Sequence, residues 1–152
     1  MKLAEALNLR ADLQVRINNL RTRLSINARV QEGEKPAEDP AELLAELDGC
    51  IRQLEEIIYA INLTNSRTET EKGTLTMLLA RRDCLRMKVS VYQDFCREAS
   101  GTVDRMTRTE IKILSTVPVK ELQKTCDSLS KEYRELDVFI QSVNWTTELI
   151  GL

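Results

Sequence analysis

Apolar residues recur every three or four positions through four long segments of the chain. This spacing predicts helices over about residues 2–29, 40–66, 75–100 and 118–144, because such residues share one face of a helix. Each predicted helix has one apolar stripe. In chain order, the stripes are Leu13, Ile17, Leu20 and Leu24; Leu47, Ile51, Leu54, Ile58 and Ile61, widened by Leu43, Leu44 and Ile57; Leu78, Leu85, Val89, Tyr92 and Cys96; and Leu122, Cys126, Leu129, Tyr133, Leu136, Ile140 and Val143. Alternating steps of three and four are typical of coiled coils and bundles. We therefore predict a mainly all-α fold, an elongated antiparallel four-helix bundle of long helical hairpins, as a single domain over residues 1–152.

One helix start is marked by its local sequence. Asp39 is an acidic N-cap candidate, Pro40 suits the first helical position, and Glu42 lies three residues after the cap. The Asp39 carboxylate can accept from the free amides of the first turn, and Glu42 can reach back to the cap. The second helix should therefore begin at residue 40.

The segment over residues 107–116 breaks the helical pattern and predicts a short strand. Its apolar and polar residues alternate, as they do along a half-buried strand. A lone strand needs a partner for its backbone N–H and C=O groups. That partner is either a short hairpin with residues 101–107 or the same segment of another copy; otherwise the segment is an irregular loop. On the second alternative the oligomer interface contains Thr109, Ile111, Ile113 and Leu114.

Composition narrows the class of protein. The 152 residues are 42% hydrophobic and 30% charged, with a net charge of -2 and no histidine. These values favour a folded, soluble protein and give no reason to expect nucleic acid or an anionic membrane as partner. No stretch approaches the roughly 20 apolar residues of a membrane span. Glu5, Arg10 and Asp12 interrupt any apolar signal core, which favours a cytoplasmic location.

Catalytic constellations are missing from the sequence. Without histidine, Ser-His-Asp and Cys-His arrangements cannot form, and there is no glycine-rich phosphate loop. The four cysteines are widely spaced and give no zinc pattern. We therefore expect a protein that is not an enzyme and has no cofactor or metal.

Polar residues offer two candidate ligand sites. Arg82 and Arg86 share a helix face that could hold an anion, with Arg108 as a further candidate, or could form a salt-bridged surface in which Asp83 pairs with the neighbouring arginines. Asn144 and Trp145 could stack on a ligand or form a lid over a bundle end or a neighbouring subunit.

Charge also divides between the first two segments. Residues 1–31 hold six basic and two acidic side chains, and residues 32–56 hold nine acidic and two basic ones. The division predicts either complementary faces of a helical hairpin or a basic groove for phosphate.

Five stretches resemble a small family of uncharacterised bacterial proteins labelled septicolysin-like. They are MKLAEALNLRADLQVRI, VQEGEKPAEDPAELLAEL, LARRDCLR, RTEIKILSTV and NWTTEL. The chain departs from the family pattern at Pro118, where an acidic helix cap is expected, and at Met77, where glutamate is expected. The resemblance implies a helical, self-associating cytoplasmic protein, a hexamer, and supplies no catalytic residues.

Three functions follow from these observations. The leading hypothesis is a non-enzymatic homo-oligomer that assembles through the 108–117 segment and exposed helix stripes, as a scaffold or interaction module. The alternative is a small-molecule or anion-binding protein with its site between helices or subunits. A pore-forming cytolysin, which the family label suggests, is disfavoured because no long amphipathic stretch has a basic polar face.

Overall fold

The computed structural model describes residues 1–101, 111 and 113–151. Its elements are α1 Leu3–Ile26, α2 Pro40–Arg67, β1 Glu69–Thr70, β2 Gly73–Thr74, α3 Leu75–Ser100 and α4 Val119–Thr146. The mainly helical class is confirmed, and each helix of the described chain begins and ends within three residues of its predicted bounds.

Helix starts follow from local side chains. Asp39 caps α2, because its carboxylate accepts from the Ala41 N–H at 2.9 Å and Pro40 occupies the first turn. Thr74 caps α3 in the same way, accepting from the Met77 N–H at 3.2 Å. The glutamate expected at position 77 is therefore not needed to begin α3.

The short sheet lies elsewhere than the sequence predicted. It consists of β1 and β2, two residues each, joined by a turn at Glu71 and Lys72, and Gly73 at the start of β2 has a φ of +115°. Within the predicted 107–116 strand, Ile111 and residues 113–116 belong to no strand. The rest of that segment lies outside the described residues, so the pairing of the segment with another copy stays a prediction.

The chain divides into two compact units. Unit 1 comprises Met1–Thr70 with Gln141–Leu152, and unit 2 comprises Glu71–Ile140. The prediction of a single domain stays a prediction.

Unit 1 is built on an antiparallel pair of helices. Arg16 of α1 contacts Glu46 of α2, and Arg23 further along α1 contacts Glu38 before α2, so the two helices run in opposite directions. Apolar residues of both helices are buried: Leu3, Ala6, Leu13 and Leu20 from α1, and Leu43, Cys50, Ile57, Ala60 and Ile61 from α2.

The two ends of the described chain meet in unit 1. The Leu3 N–H donates to the Thr147 carbonyl and the Leu149 N–H donates to the Met1 carbonyl, each at 2.9 Å. The Ile150 N–H donates to the buried hydroxyl of Thr64 at 2.9 Å. These bonds hold the C-terminal residues beside the α1 N-terminus and the α2 C-terminus.

Unit 2 contains α3 and most of α4, again antiparallel. Arg81 contacts Glu132 at 2.9 Å, and further along α3 the Cys96 thiol donates to the Gln123 side-chain carbonyl at 3.1 Å. The buried residues are Leu75, Leu78, Leu85 and Cys96 from α3, and Cys126, Leu136 and Ile140 from α4. Burial, with the neighbouring Cys96, raises the pKa of the Cys126 thiol.

The apolar stripe predicted for α2 is not the buried face of that helix. On α1, α3 and α4 the fully buried apolar side chains include members of the predicted stripes. On α2, however, Leu47 and Leu54 are only half-buried and Ile51 and Ile58 are exposed, while Ile61 is buried. The buried face of α2 is the neighbouring stripe through Leu43, Cys50 and Ile57, which the sequence had placed at the margin.

Candidate interaction surface

Helix α2 carries two adjacent apolar stripes, and only one of them packs within unit 1. The other, the α2 seam, consists of Leu44, Leu47, Ile51, Leu54 and Ile58. Leu44, Ile51 and Ile58 are 50%, 45% and 37% exposed, and the two remaining leucines are half-buried. Its steps of three, four, three and four residues keep all five side chains on one face over about 21 Å of helix.

The seam forms a shallow groove near its centre. The groove has a volume of about 440 Å³ and is lined by Ile51, Leu54, Glu55, Ile58 and Tyr59. Four of these five residues are apolar or aromatic, and the fifth is Glu55. Such a groove accepts apolar side chains and offers little to a charged small molecule.

Ion pairs lie between the basic α1 and the acidic region that follows it. Arg16 contacts Glu46 at 2.6 Å, and the Nε of Arg23 donates to Glu38 at 3.0 Å. The hydrogen bond from Arg23 lowers the pKa of Glu38 below its ordinary value, and these contacts raise the pKa of both arginines. Of the two predicted roles for the charge division, the structure shows the complementary faces of a hairpin.

The predicted arginine site in unit 2 is a salt-bridged surface. Arg82 donates to Asp83 at 3.0 Å and lies 3.6 Å from Asp137 on α4, while Arg86 lies 3.8 Å from Asp83. The structure therefore brings Arg82, Asp83 and Arg86 together, but acidic partners on the same chain already contact both arginines. Arg108 lies outside the described residues.

The other two candidate ligand residues, Asn144 and Trp145, differ in their exposure to solvent. Asn144 is buried in unit 1, whereas the neighbouring Trp145 is 58% exposed. The residues that close this end of unit 1 follow the tryptophan instead: Glu148 forms ion pairs with Lys2 and the N-terminal amine, which lower the pKa of Glu148. No local signal in the sequence marks this contact, because its partners are separated by almost the whole chain.

The predicted oligomer interface is exposed where the structure describes it. Ile111 is 92% exposed, and Ile113 and Leu114 are also exposed. Thr109 lies outside the described residues. Three branched apolar side chains in water are consistent with a contact surface but do not identify its partner.

A further exposed stripe lies on α3, and the sequence pattern alone does not separate it from the core. It consists of Met77, Ala80, Cys84, Met87 and Val91 and is called the α3 seam. It has the same alternation of three and four residues as the α2 seam. The signal was present in the spacing, but the better-conforming leucines of the buried stripe obscured it.

The part of the chain that the structure describes contains neither a metal-binding cluster nor a membrane-spanning helix. No group of three or more cysteine, aspartate or glutamate residues could hold a metal ion. Among the described helices, none combines the length and the apolar character needed to cross a membrane.

The fold and surface define a mainly helical protein with exposed apolar residues on α2 and α3. The chain belongs to a family of unknown function (DUF6847), whose model matches residues 10–149. It is similar to the crystal structure of a functionally unknown conserved protein from Corynebacterium diphtheriae, with 43% identity, 98% coverage of both chains and a TM-score of 0.92. No curated protein matches the chain. The comparisons confirm an uncharacterised family and give no support to a septicolysin-like relationship.

Proposed function

We propose that this chain is a non-catalytic, self-assembling helical protein that acts as a homo-oligomeric scaffold or interaction module. The observation that carries the proposal is the α2 seam, a coiled-coil stripe that is exposed on the protomer. Soluble monomers rarely expose contiguous apolar patches larger than a few hundred Å², and such patches mark interaction sites. A helix with two apolar stripes suits a partner on each.

Two other surfaces support assembly beyond a dimer. The α3 seam lies in unit 2, whereas the α2 seam lies in unit 1, so one chain offers separate contact surfaces. Two different self-complementary contacts on one chain generate larger closed assemblies. A hexamer built in this way would also use the exposed Ile111 and Ile113, with the 108–117 segment pairing between copies.

The competing functions have less support. For ligand binding, Arg82 and Arg86, the two described arginines that would hold an anion, are already paired with Asp83 and Asp137. For a cytolysin, neither the family match nor the similar structure gives support. We include in the proposal a cytoplasmic location, the absence of catalysis, and the absence of nucleic acid and membrane partners. The charged residues Glu5, Arg10 and Asp12, the lack of histidine and the net charge of -2 support these parts.

The test is the mass in solution, measured by light scattering after gel filtration. The wild type should elute as an oligomer, and Ile51→Glu/Ile58→Glu should reduce its mass, because a carboxylate buried in an apolar seam is strongly unfavourable. The control is Val15→Glu/Asn18→Glu, which adds the same charge on an exposed face of α1. Circular dichroism would verify that each variant keeps its helices.

The double variant Ile111→Asp/Ile113→Asp tests the 108–117 segment separately. A loss of mass in this variant would assign the segment to an interface between copies. A wild-type monomer at every accessible concentration would refute self-assembly as the function.

A further inference from the structure

The residues of the α2 seam specify a particular kind of helix pairing. Assigning heptad positions from the spacing puts Leu44, Ile51 and Ile58 at position a and Leu47 and Leu54 at position d. In parallel coiled coils, β-branched residues at a together with leucine at d favour two strands. Two of the three a residues are isoleucine and both d residues are leucine, so a parallel pairing of this seam would have two strands; its orientation is decided by the charges beside it.

The area that the seam offers suits a second hairpin as its partner. Three partly exposed aliphatic residues, two half-buried leucines and the exposed Tyr59 offer roughly 400 Å² of apolar surface on each copy. Two copies together would bury about 800 Å² through the seam, below the roughly 1,000 Å² of a stable interface. Contacts beside the seam must therefore contribute. The hairpin of α1 and α2 supplies them, because two such hairpins form a four-helix bundle.

Charges beside the seam are arranged by the packing of α1 on α2. Arg16 and Glu46 contact each other and so mark one side of the hairpin. Each residue advances about 100° around a helix, so the seam of α2 and Arg10 of α1 both fall on the opposite side. Asp48 and Glu55 lie beyond the seam, on the flank of α2 that is turned away from α1.

The same contact fixes the height of these charges along the hairpin. Because the helices are antiparallel and Arg16 is level with Glu46, six residues back on α1 correspond to six residues forward on α2. Arg10 is thus level with the turns of α2 that carry Asp48 and Glu55. This face of the hairpin therefore has a basic edge at Arg10, the apolar seam, and an acidic edge at Asp48 and Glu55, whose two carboxylates outnumber the neighbouring cation Arg52.

The two symmetric ways of pairing this face differ in their electrostatics. A two-fold axis parallel to the helices pairs the two α2 helices in parallel. It exchanges the two edges of the face, so the acidic edge of each copy meets Arg10 of the other. A two-fold axis perpendicular to the helices pairs the two α2 helices antiparallel. It keeps each edge of the face on the same side, so the edges of like charge meet and repel. Opposite charges beside an apolar seam are the usual determinant of orientation in coiled coils.

We infer that the α2 seam pairs with the α2 seam of a second copy, in parallel, with Arg10 of each copy beside Asp48 and Glu55 of the other. The inference rests on the proposed self-assembly and specifies its partner and orientation. The product is a four-helix bundle made of two α1–α2 hairpins.

Cross-linking distinguishes the orientations. Leu44→Cys and Ile58→Cys are prepared separately in a Cys84→Ser chain, which lacks the exposed thiol. Each is treated with a short bismaleimide, alone and mixed with the other, and analysed on a denaturing gel. In a parallel pair each introduced cysteine lies beside its own counterpart, so each single variant should give a covalent dimer. Val15→Cys, exposed on α1 away from the seam, is the control that should remain monomeric.

Every outcome bears on the inference. An antiparallel pair centred on residue 51 would cross-link only in the mixture, which would refute the parallel orientation. An oligomer by light scattering that gives no cross-link in any arm would place the contact elsewhere, refuting the inference while retaining self-assembly. A monomer by light scattering would refute both.

The charge arrangement has its own test. Arg10→Glu and Glu55→Arg should each raise the dimer dissociation constant, and the combined variant should recover at least tenfold of the loss. Equal losses that add in the combined variant would show that these residues do not meet across the interface.

Discussion

The matched pair Ile57→Ala and Ile51→Ala tests which stripe of α2 is the core. The two isoleucines lie on the same helix, but Ile57 is 1% exposed and Ile51 is 45% exposed. Removing three carbon atoms from a fully buried side chain loses roughly 2.4 kcal/mol of transfer free energy, at about 0.8 kcal/mol each. The cavity adds to this, so Ile57→Ala should lower the free energy of unfolding by about 2–5 kcal/mol.

Ile51→Ala should cost much less in the isolated protomer. Nearly half of the side chain is already in water, so the transfer term falls to about 1 kcal/mol. The space left behind opens to solvent and adds little. The difference between the two variants should therefore be at least about 1 kcal/mol.

The assay is urea unfolding followed by far-ultraviolet circular dichroism at several protein concentrations. If unfolding is coupled to dissociation of a dimer, a tenfold increase in concentration should raise the apparent free energy of unfolding by about 1.4 kcal/mol. Ile51→Ala should weaken this dependence, whereas Ile57→Ala should lower the stability at every concentration. Equal costs for the two variants at the lowest concentration, or a cost below about 1 kcal/mol for Ile57→Ala, would refute the assignment of the stripes.

Three further predictions concern single residues. Gly49→Ala should raise the free energy of unfolding by about 0.5–1 kcal/mol in the same urea assay, because Gly49 lies within α2 and an added Cβ meets nothing within 4 Å. Folded protein diluted until light scattering shows a monomer should react rapidly with a thiol reagent at Cys84 alone, since the other three cysteines are buried and only assembly through the α3 seam would cover Cys84; rapid reaction of two or more thiols would contradict this. Because Arg23 lowers the pKa of Glu38 below its ordinary 4.5, this pair should stabilise the fold above that value and lose its effect as the pH falls through the lowered pKa. Arg23→Gln should therefore flatten the loss of stability in acid, and an unchanged acid limb would show that the pair contributes nothing.

The local sequence was sufficient to predict the four helices and the residues near which they begin and end. The start of α2 at Pro40 follows from a capping carboxylate and a proline, which act within one turn and need no tertiary context. The strand over residues 107–116 was a weaker inference, because alternation over a few residues also occurs in irregular segments. The two-residue strands at Glu69–Thr70 and Gly73–Thr74 are too short to leave any periodic signal.

Which apolar stripe of α2 is buried cannot be predicted from the sequence and is determined by the tertiary structure. The sequence alone determined that α2 is apolar over a broad face, from Leu43 and Leu44 to Ile57 and Ile58. Both stripes recur with the helical period, so periodicity cannot say which one packs within the chain. Only the tertiary structure decided which stripe is buried, because the rotation of α2 about its axis depends on contacts from another helix, including that of Arg16 with Glu46. That rotation buries Ile57 and leaves Ile51 in water.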